Sequence, residues 1–307
     1  MLKPSELPLA ADGSLYHIHL TADTLADNVL LVGDPERVEM FKSIFDNVEH
    51  ESHNREIHAL TGTYHGSRFT AISTGMGCDN IDIVMTELDA ALHLDNGAWK
   101  TKTGRTLRIV RIGTSGSLQE EIDCGSRVAS VCAVGLDGLM NYYKEWRSPL
   151  PEMEGAFAEH MELPAGTARP YYVQGSATLL ELVAYDMHQG ITATAPGFYG
   201  PQGRTVRLHP AMDNLNEKLA SFEWSDYYRL FRTCRKQREI RNLKEIRSLR
   251  VTNLEMETSA IYGFSHMLGH DALTVCLINA NRPKGTFLND YHEPMRQLVG
   301  TVVERLA

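Results

Sequence analysis

The feature that most limits how this chain can fold is an alternation of short, β-branched apolar runs with longer amphipathic stretches. NVLLVG (28–33) is an unbroken apolar run of strand length, and PERVEMFKSIF follows it with Pro35 at a first-turn position of a helix. RFTAIST (68–74), LRIVRIG (107–113) and RVASVCAV (127–134) predict three more strands, GITATA a further one and ALTVCLINA a central one. Residues 79–94 predict a helix with Ile81, Val84, Met85 and Leu88 on one face. ATLLELVAYDMH, EMETSAIYGFSHML and the closing YHEPMRQLVGTVVERL predict three others. That order of elements argues for an α/β fold with a largely parallel or mixed sheet.

Two regions interrupt the alternation. Residues 139–172 carry Trp146, several prolines and mixed charge. Residues 209–250 include a segment with nine Lys/Arg against two Glu between Arg229 and Arg250. Leu230, Ile240, Leu243, Ile246 and Leu249 suit the apolar side of an amphipathic helix there, with a solvated basic face; a patch for a polyanion or a partner subunit is the rival reading. No aromatic interleaving or RNA-binding motif accompanies the charge.

The whole-chain numbers exclude several classes. At 307 residues and a net charge of -9, the field does not recruit nucleic acid or an anionic membrane surface. An anionic ligand would need a local cluster of cations. Five cysteines lie far apart, as expected for reduced thiols in the cytoplasm, and no CxxC pair suggests a structural zinc. The opening MLKPSELPLAADGS is polar and broken by prolines, so no secretory leader is expected, and no run reaches the length of a membrane span.

Several strand exits carry chemistry. LVGDPERV (31–38) ends a strand at Gly33 and starts a helix, whose free amides with Arg37 suit an anion. RIGTSGS (111–117) reads as a second strand ending in a hydroxyl-rich glycine turn, where Arg111, Thr114 and the amides of Gly113 to Gly116 could wrap a phosphate. An Arg within an otherwise apolar strand is costly unless paired, which points to a ligand or a buried ion pair. STGMG (73–77) is a third exit. Together they imply one anion site at the carboxyl edge of the sheet.

In NLEMETSA (253–260), Asn253 can cap a helix. Glu255 fits ordinary helix-dipole chemistry, whereas Glu257 could accept from a ribose diol. YHIHL (16–20) reads as a strand with His17 and His19 on one face, without a third ligand for a metal. Arg55 of HNRE reads as a surface arginine near a turn. In GFYGPQGR (197–204), a glycine-proline turn carries Gln202 and Arg204 beside Phe198. The stretch is either a plain turn or one that holds an amide and a guanidinium against something planar.

LVGDPERV, SHNREI, STGMG, RIGTSGS, GFYGPQGR, NLEME and INANR stand in the order and spacing of the nucleoside phosphorylase family, and the chain looks most like its uridine-specific members. The resemblance runs from His17 to the last helix and is weakest over 139–172 and 209–250. It implies a single-domain, three-layer α/β/α fold over 1–307 with a central mixed sheet. It also implies a pentosyltransferase that converts uridine, with deoxyuridine as a further candidate, and phosphate to uracil and (deoxy)ribose 1-phosphate. Phosphate would be held by Gly33, Arg37, Arg111 and Thr114, with Arg55 from a neighbouring subunit. Ribose would meet Met256, Glu257 and the neighbour's His17. The base would meet Gly116, Phe198, Gln202, Arg204 and Arg282, with Arg204, Gln202 and Arg111 as the catalytic group.

Phosphate would be a co-substrate and no organic cofactor is implied. A monovalent cation such as K+ would sit at a subunit interface near Glu56 and Ser73. The minimum assembly is a homodimer. The chain departs from relatives at Cys78-Asp79-Asn80, where Gly-Pro-Ser is frequent, and has Asn281-Arg282 where purine-specific relatives place a catalytic Asp. The alternatives are a purine nucleoside phosphorylase, a nucleosidase of the same fold, or a nucleoside-binding regulator without turnover.

Overall fold

The first buried run forms β1 (Asn28–Val32), and its side chains divide by the period of two that a strand imposes. Leu30 and Val32 enter one core, with Val38 and Phe41 of the helix α1 (Pro35–Lys42). Val29 and Leu31 enter another, with Ile81, Val84, Met85 and Leu88 of α2 (Cys78–His93). A sheet between two helical layers follows from that division. This is a computed structural model that describes residues 3–95, 98–100, 104–225 and 248–307. The basic helix expected within 229–250 therefore lies almost entirely outside the described residues.

Along the chain come a hairpin of β2 (Asn47–Asn54) and β3 (Ile57–Tyr64), then β4 (Ser67–Ser73). A two-residue pair, β5 (Leu94–Asp95) and β6 (Ala98–Trp99), follows α2. β7 (Arg108–Ser117) and β8 (Arg127–Gly135) precede α3 (Pro151–Met161), β9 (Tyr171–Gln174), α4 (Ala177–Val183) and β10 (His188–Thr194). The last part holds α5 (Leu215–Ser221), β11 (Glu223–Trp224), β12 (Leu249–Glu255) and α6 (Thr258–Leu268). It ends with β13 (Asp271–Asn281), β14 (Thr286–Phe287) and α7 (His292–Leu306). Among the described residues no helix is long and apolar enough to cross a membrane.

Twelve strands form one mixed sheet along the path β11-β12-β10-β8-β13-β7-β1-β4-β3-β2, with β9 paired to β8 and β14 to β13, while β5 and β6 stand apart. β1 runs parallel to both β4 and β7, and β7 parallel to β13. The sheet is not simply open. The end of β12 returns to β7 and pairs antiparallel with it through Asn253↔Ser117 and Leu254↔Gly116. That seam closes a ring of β7, β13, β8, β10 and β12, and brings the carboxyl ends of three of its strands to one place.

Three expectations are corrected here. RIGTSGS is not a turn: the ladder continues to Ser117 because β13 and β12 both pair with it. Asn253 does not cap a helix. It is buried within β12, where its Nδ2 donates to Ser115 Oγ (2.9 Å) and its Oδ1 accepts from the Thr192 hydroxyl (2.8 Å); the helix begins at Thr258. His17 and His19 are not on a strand, since the chain turns there, and His19 has a φ of 50°.

Candidate active site

At the seam the walls enclose a cavity of about 730 Å³, large enough for a nucleoside-sized ligand. Gly33, Arg37, Arg111, Thr114, Gly116, Phe198, Gln202, Arg204, Met256 and Glu257 all line it, although they come from four separated stretches of chain.

One wall is built from strand exits. Arg111 points inward from β7, folded back over residue 113. A Cβ at Gly113 would lie 2.1 Å from its Nη1, so any side chain there would displace the guanidinium. The Arg111 guanidinium contacts the Glu257 carboxylate directly, and its Nη1 lies 3.2 Å from Glu255. Burial works against this cation, but Glu257 and Glu255 outweigh it and hold its pKa above the ordinary arginine value. The choice left open by the sequence thus resolves to a buried ion pair that also faces the cavity.

Burial pushes the Glu257 carboxyl upward, against the pull of Arg111 and with Glu255 adding to the rise. The Gly77 N–H, at the start of α2, donates to Glu257 Oε1 (2.8 Å) and fixes its orientation. Glu255 is the larger surprise. It ends β12, and its carboxylate accepts from the Glu257 and Thr258 amides and from the Thr194 hydroxyl, all at 2.7–3.1 Å. It therefore caps α6 from outside the helix while balancing Arg111.

Arg37 differs from Arg111. From α1 its Nη1 donates to the Ile112 carbonyl (3.4 Å), its guanidinium lies 5.8 Å from the centre of the Tyr291 ring, and its Nε is buried with no hydrogen-bond partner. Desolvation lowers its pKa, and Arg111 lowers it further. A buried guanidinium N–H without a partner, beside a cavity, is a donor waiting for an acceptor.

The opposite wall is the turn 197–204. Gln202 is buried, and its Oε1 accepts from Arg204 Nη1 (2.6 Å), which also donates to the Phe198 carbonyl (2.6 Å). The Arg204 guanidinium lies 3.8 Å from the centre of the Phe198 ring. Burial, with repulsion from Arg282, brings its pKa down to about 10. With its oxygen held by Arg204, the Gln202 amide, which is part of the cavity lining, keeps its N–H groups as its remaining polar offer. Arg282 braces this turn from behind, donating to the Gln202 and Gly203 carbonyls (3.2 and 3.4 Å). It lines an adjoining hollow of about 630 Å³ rather than the main one.

A sequence model of the phosphorylase superfamily matches residues 27–306. The chain belongs to the phosphorylase superfamily. Within the superfamily, it is 29% identical over 285 residues to a uridine phosphorylase of Thermococcus kodakarensis, covering 92% of this chain and 83% of that one. A crystal structure of a Trypanosoma brucei nucleoside phosphorylase with uridine phosphorylase activity superposes with a TM-score of 0.83. Its identity is 30%, with 97% of this chain and 98% of that chain covered. A DeoD-type purine nucleoside phosphorylase of Alkaliphilus metalliredigens is 31% identical, but over 126 residues, 41% of this chain and 48% of that one.

Two of the expected site residues, His17 and Arg55, stand apart from this superfamily pocket. Arg55 is exposed at the tip of the β2–β3 hairpin with a left-handed φ of 54°. The hairpin holds the His17 segment beside it: Asn54 Nδ2 donates to the Tyr16 and His17 carbonyls (2.9 and 3.1 Å). Buried Glu87 holds the His17 ring through Nδ1 and accepts from the His17 and Ile18 amides, both at 3.0 Å. The imidazole therefore has its Nε2 free of that anchor.

Glu56 lines the cavity and Ser73 does not. The Ser73 hydroxyl donates to the Glu56 carbonyl (2.6 Å) and accepts from the His58 amide (2.7 Å), so it has little left to offer a cation. Within one chain these residues fit a monovalent ion poorly. In the sequence Asn281 is singled out only as the residue standing in place of the purine-specific Asp. It is fully buried and its Nδ2 donates to the Gln119, Glu120 and Ile122 carbonyls (2.9–3.2 Å), so it is a structural clamp. Its burial on a central strand was the available signal.

Proposed function

We propose that the chain catalyses the reversible phosphorolysis of uridine, with deoxyuridine as a further substrate, giving uracil and (deoxy)ribose 1-phosphate. The observation that carries this reading is the meeting, in the lining of one cavity, of Arg37, whose buried Nε has no partner, and a hydrogen-bonded Gln202–Arg204 pair. Phosphate against Arg37, Arg111, Thr114 and the Gly33 turn would sit beneath the anomeric carbon, with Glu257 and Met256 on the ribose. As the glycosidic bond breaks, negative charge moves onto the base. Donors aimed at its carbonyl oxygens bind that anion more strongly than the neutral nucleoside and so lower the barrier. Orientation of the nucleophile supplies much of the rest, and no covalent enzyme intermediate is needed.

The purine alternative is disfavoured because Asn281, at the position of the purine-specific Asp, is consumed by backbone contacts. A nucleosidase would have no use for the Arg37 donor. We infer a cytoplasmic homodimer as the minimum unit, with Arg55 and His17 entering the neighbour's pocket, and one domain over 1–307. A cation at Glu56 would take its remaining ligands from the second copy.

A panel of nucleosides assayed with and without phosphate, following free base, tests the reading. Uridine should turn over only with phosphate, and inosine should not react. Base released without phosphate, or inosine preferred over uridine, overturns it.

A further inference from the structure

The β2–β3 hairpin carries a second cluster that the proposed reaction does not use. His53 and His58 are cross-strand partners, and their rings stack with centroids 3.7 Å apart. The Nε2 atoms of both lie 3.0 Å from a single atom, Oε1 of Glu51. Lys42 Nζ, reaching over from α1, lies 2.7 Å from that same oxygen and 2.9 Å from Glu39 Oε2. Glu39 Oε1 in turn lies 3.6 Å from His58 Nδ1. One ligand atom from each of Glu39, Glu51, His53 and His58 falls within 4.8 Å of all the others.

The arrangement is crowded in a specific way. A carboxylate oxygen accepts along about two lone-pair directions, yet three nitrogens converge on Glu51 Oε1. His58 Nδ1 also lies 3.4 Å from the Pro35 carbonyl, a contact that calls for an N–H at Nδ1. A neutral imidazole has a single N–H, so it can donate to the Pro35 carbonyl or to Glu51 but not to both. His58 is 2% exposed. A cation among these atoms removes both conflicts, because imidazole lone pairs and carboxylates would then all point at positive charge.

We propose that Glu39, Glu51, His53 and His58 form a site for a divalent transition metal of the zinc type, with the Lys42 ammonium standing in the cation's place when no metal is bound. Two imidazoles and two carboxylates make a mixed nitrogen and oxygen set that suits zinc better than magnesium or calcium. The site joins the hairpin, whose tip bears Arg55 and Glu56, to the helix bearing Arg37. It is separate from the Glu56 and Ser73 pair, and it does not depend on which nucleoside the pocket takes.

Zinc titrated into the untagged, full-length chain in phosphate-free buffer, in competition with a chromophoric chelator, reads uptake directly. One zinc per chain is expected. His53→Ala should weaken binding at least about tenfold, and Lys42→Met should tighten it by removing the competing ammonium. The His53 side chain is 60% exposed, so its loss should leave the circular dichroism spectrum unchanged. Glu39→Gln is a second surface variant that should weaken uptake. Absence of stoichiometric uptake, equal affinity in His53→Ala and wild type, or affinity that fails to rise in Lys42→Met overturns the proposal. Metal uptake is measured without turnover, so this outcome is distinguishable from failure of the phosphorolysis assay.

Discussion

Glu257 links the electrostatics of the pocket to a measurable pH dependence. Burial raises its pKa above 4.5, so the protonated form persists to higher pH than in an exposed carboxyl. In the proposed reaction the ionised form is the one that would accept from the ribose diol. Activity through this group is therefore present above its pKa and lost as pH falls through it. The pH profile of kcat/KM for uridine should show an acid limb with its midpoint above 4.5, and Glu257→Gln should abolish that limb. The same variant should penalise uridine more than deoxyuridine, which lacks one acceptor-seeking hydroxyl. At this scale the sequence was partly legible. Arg111 announced its need for a partner by standing in an apolar strand, but the partners lie far along the chain, at 255 and 257. Glu255 looked like a first-turn helix acid because the strand that precedes the helix has no sequence boundary from it.

Tyr262 of α6 shows how a helix is fastened to the sheet that builds the site. Its hydroxyl donates to the Ser130 carbonyl on β8 and accepts from the Thr274 amide on β13, both at 2.7 Å. Tyr262→Phe strands a buried carbonyl and a buried N–H at once. It should cost about 2–4 kcal/mol, seen as a lower urea midpoint with an unchanged slope. Most elements of this kind were legible, because β1, α2, β8, β13 and α7 have clear apolar periods. The β2 strand, NVEHESHN, was not, since it is nearly all polar and exposed along most of its length. The true extent of β7 was also hidden. Its glycines and hydroxyls look like a turn, and only pairing with β12 and β13 keeps them extended.

The whole molecule decides whether one chain can be active. His17 and Arg55 are held together on the hairpin face, outside the cavity of their own chain. Arg204→Ala should by itself lower kcat/KM by at least about tenfold through loss of a charge-assisted donor. Arg55→Ala should also be impaired. If Arg55 serves the neighbour, refolding the two variants together should restore activity, because mixed dimers contain one intact pocket. Random pairing gives about a quarter of wild-type activity. Mixtures no better than the average of the two variants would place Arg55 in its own chain's site.

The two-pair seam between β12 and β7 has an evolutionary meaning as well. A pocket walled by residues 33–37, 111–116, 198–204 and 254–257 is not held complete by any short part of the polypeptide. Cut the chain anywhere between those stretches and neither fragment keeps all four of them, so diversification in such a scaffold must proceed by changing side chains and loops around an indivisible frame.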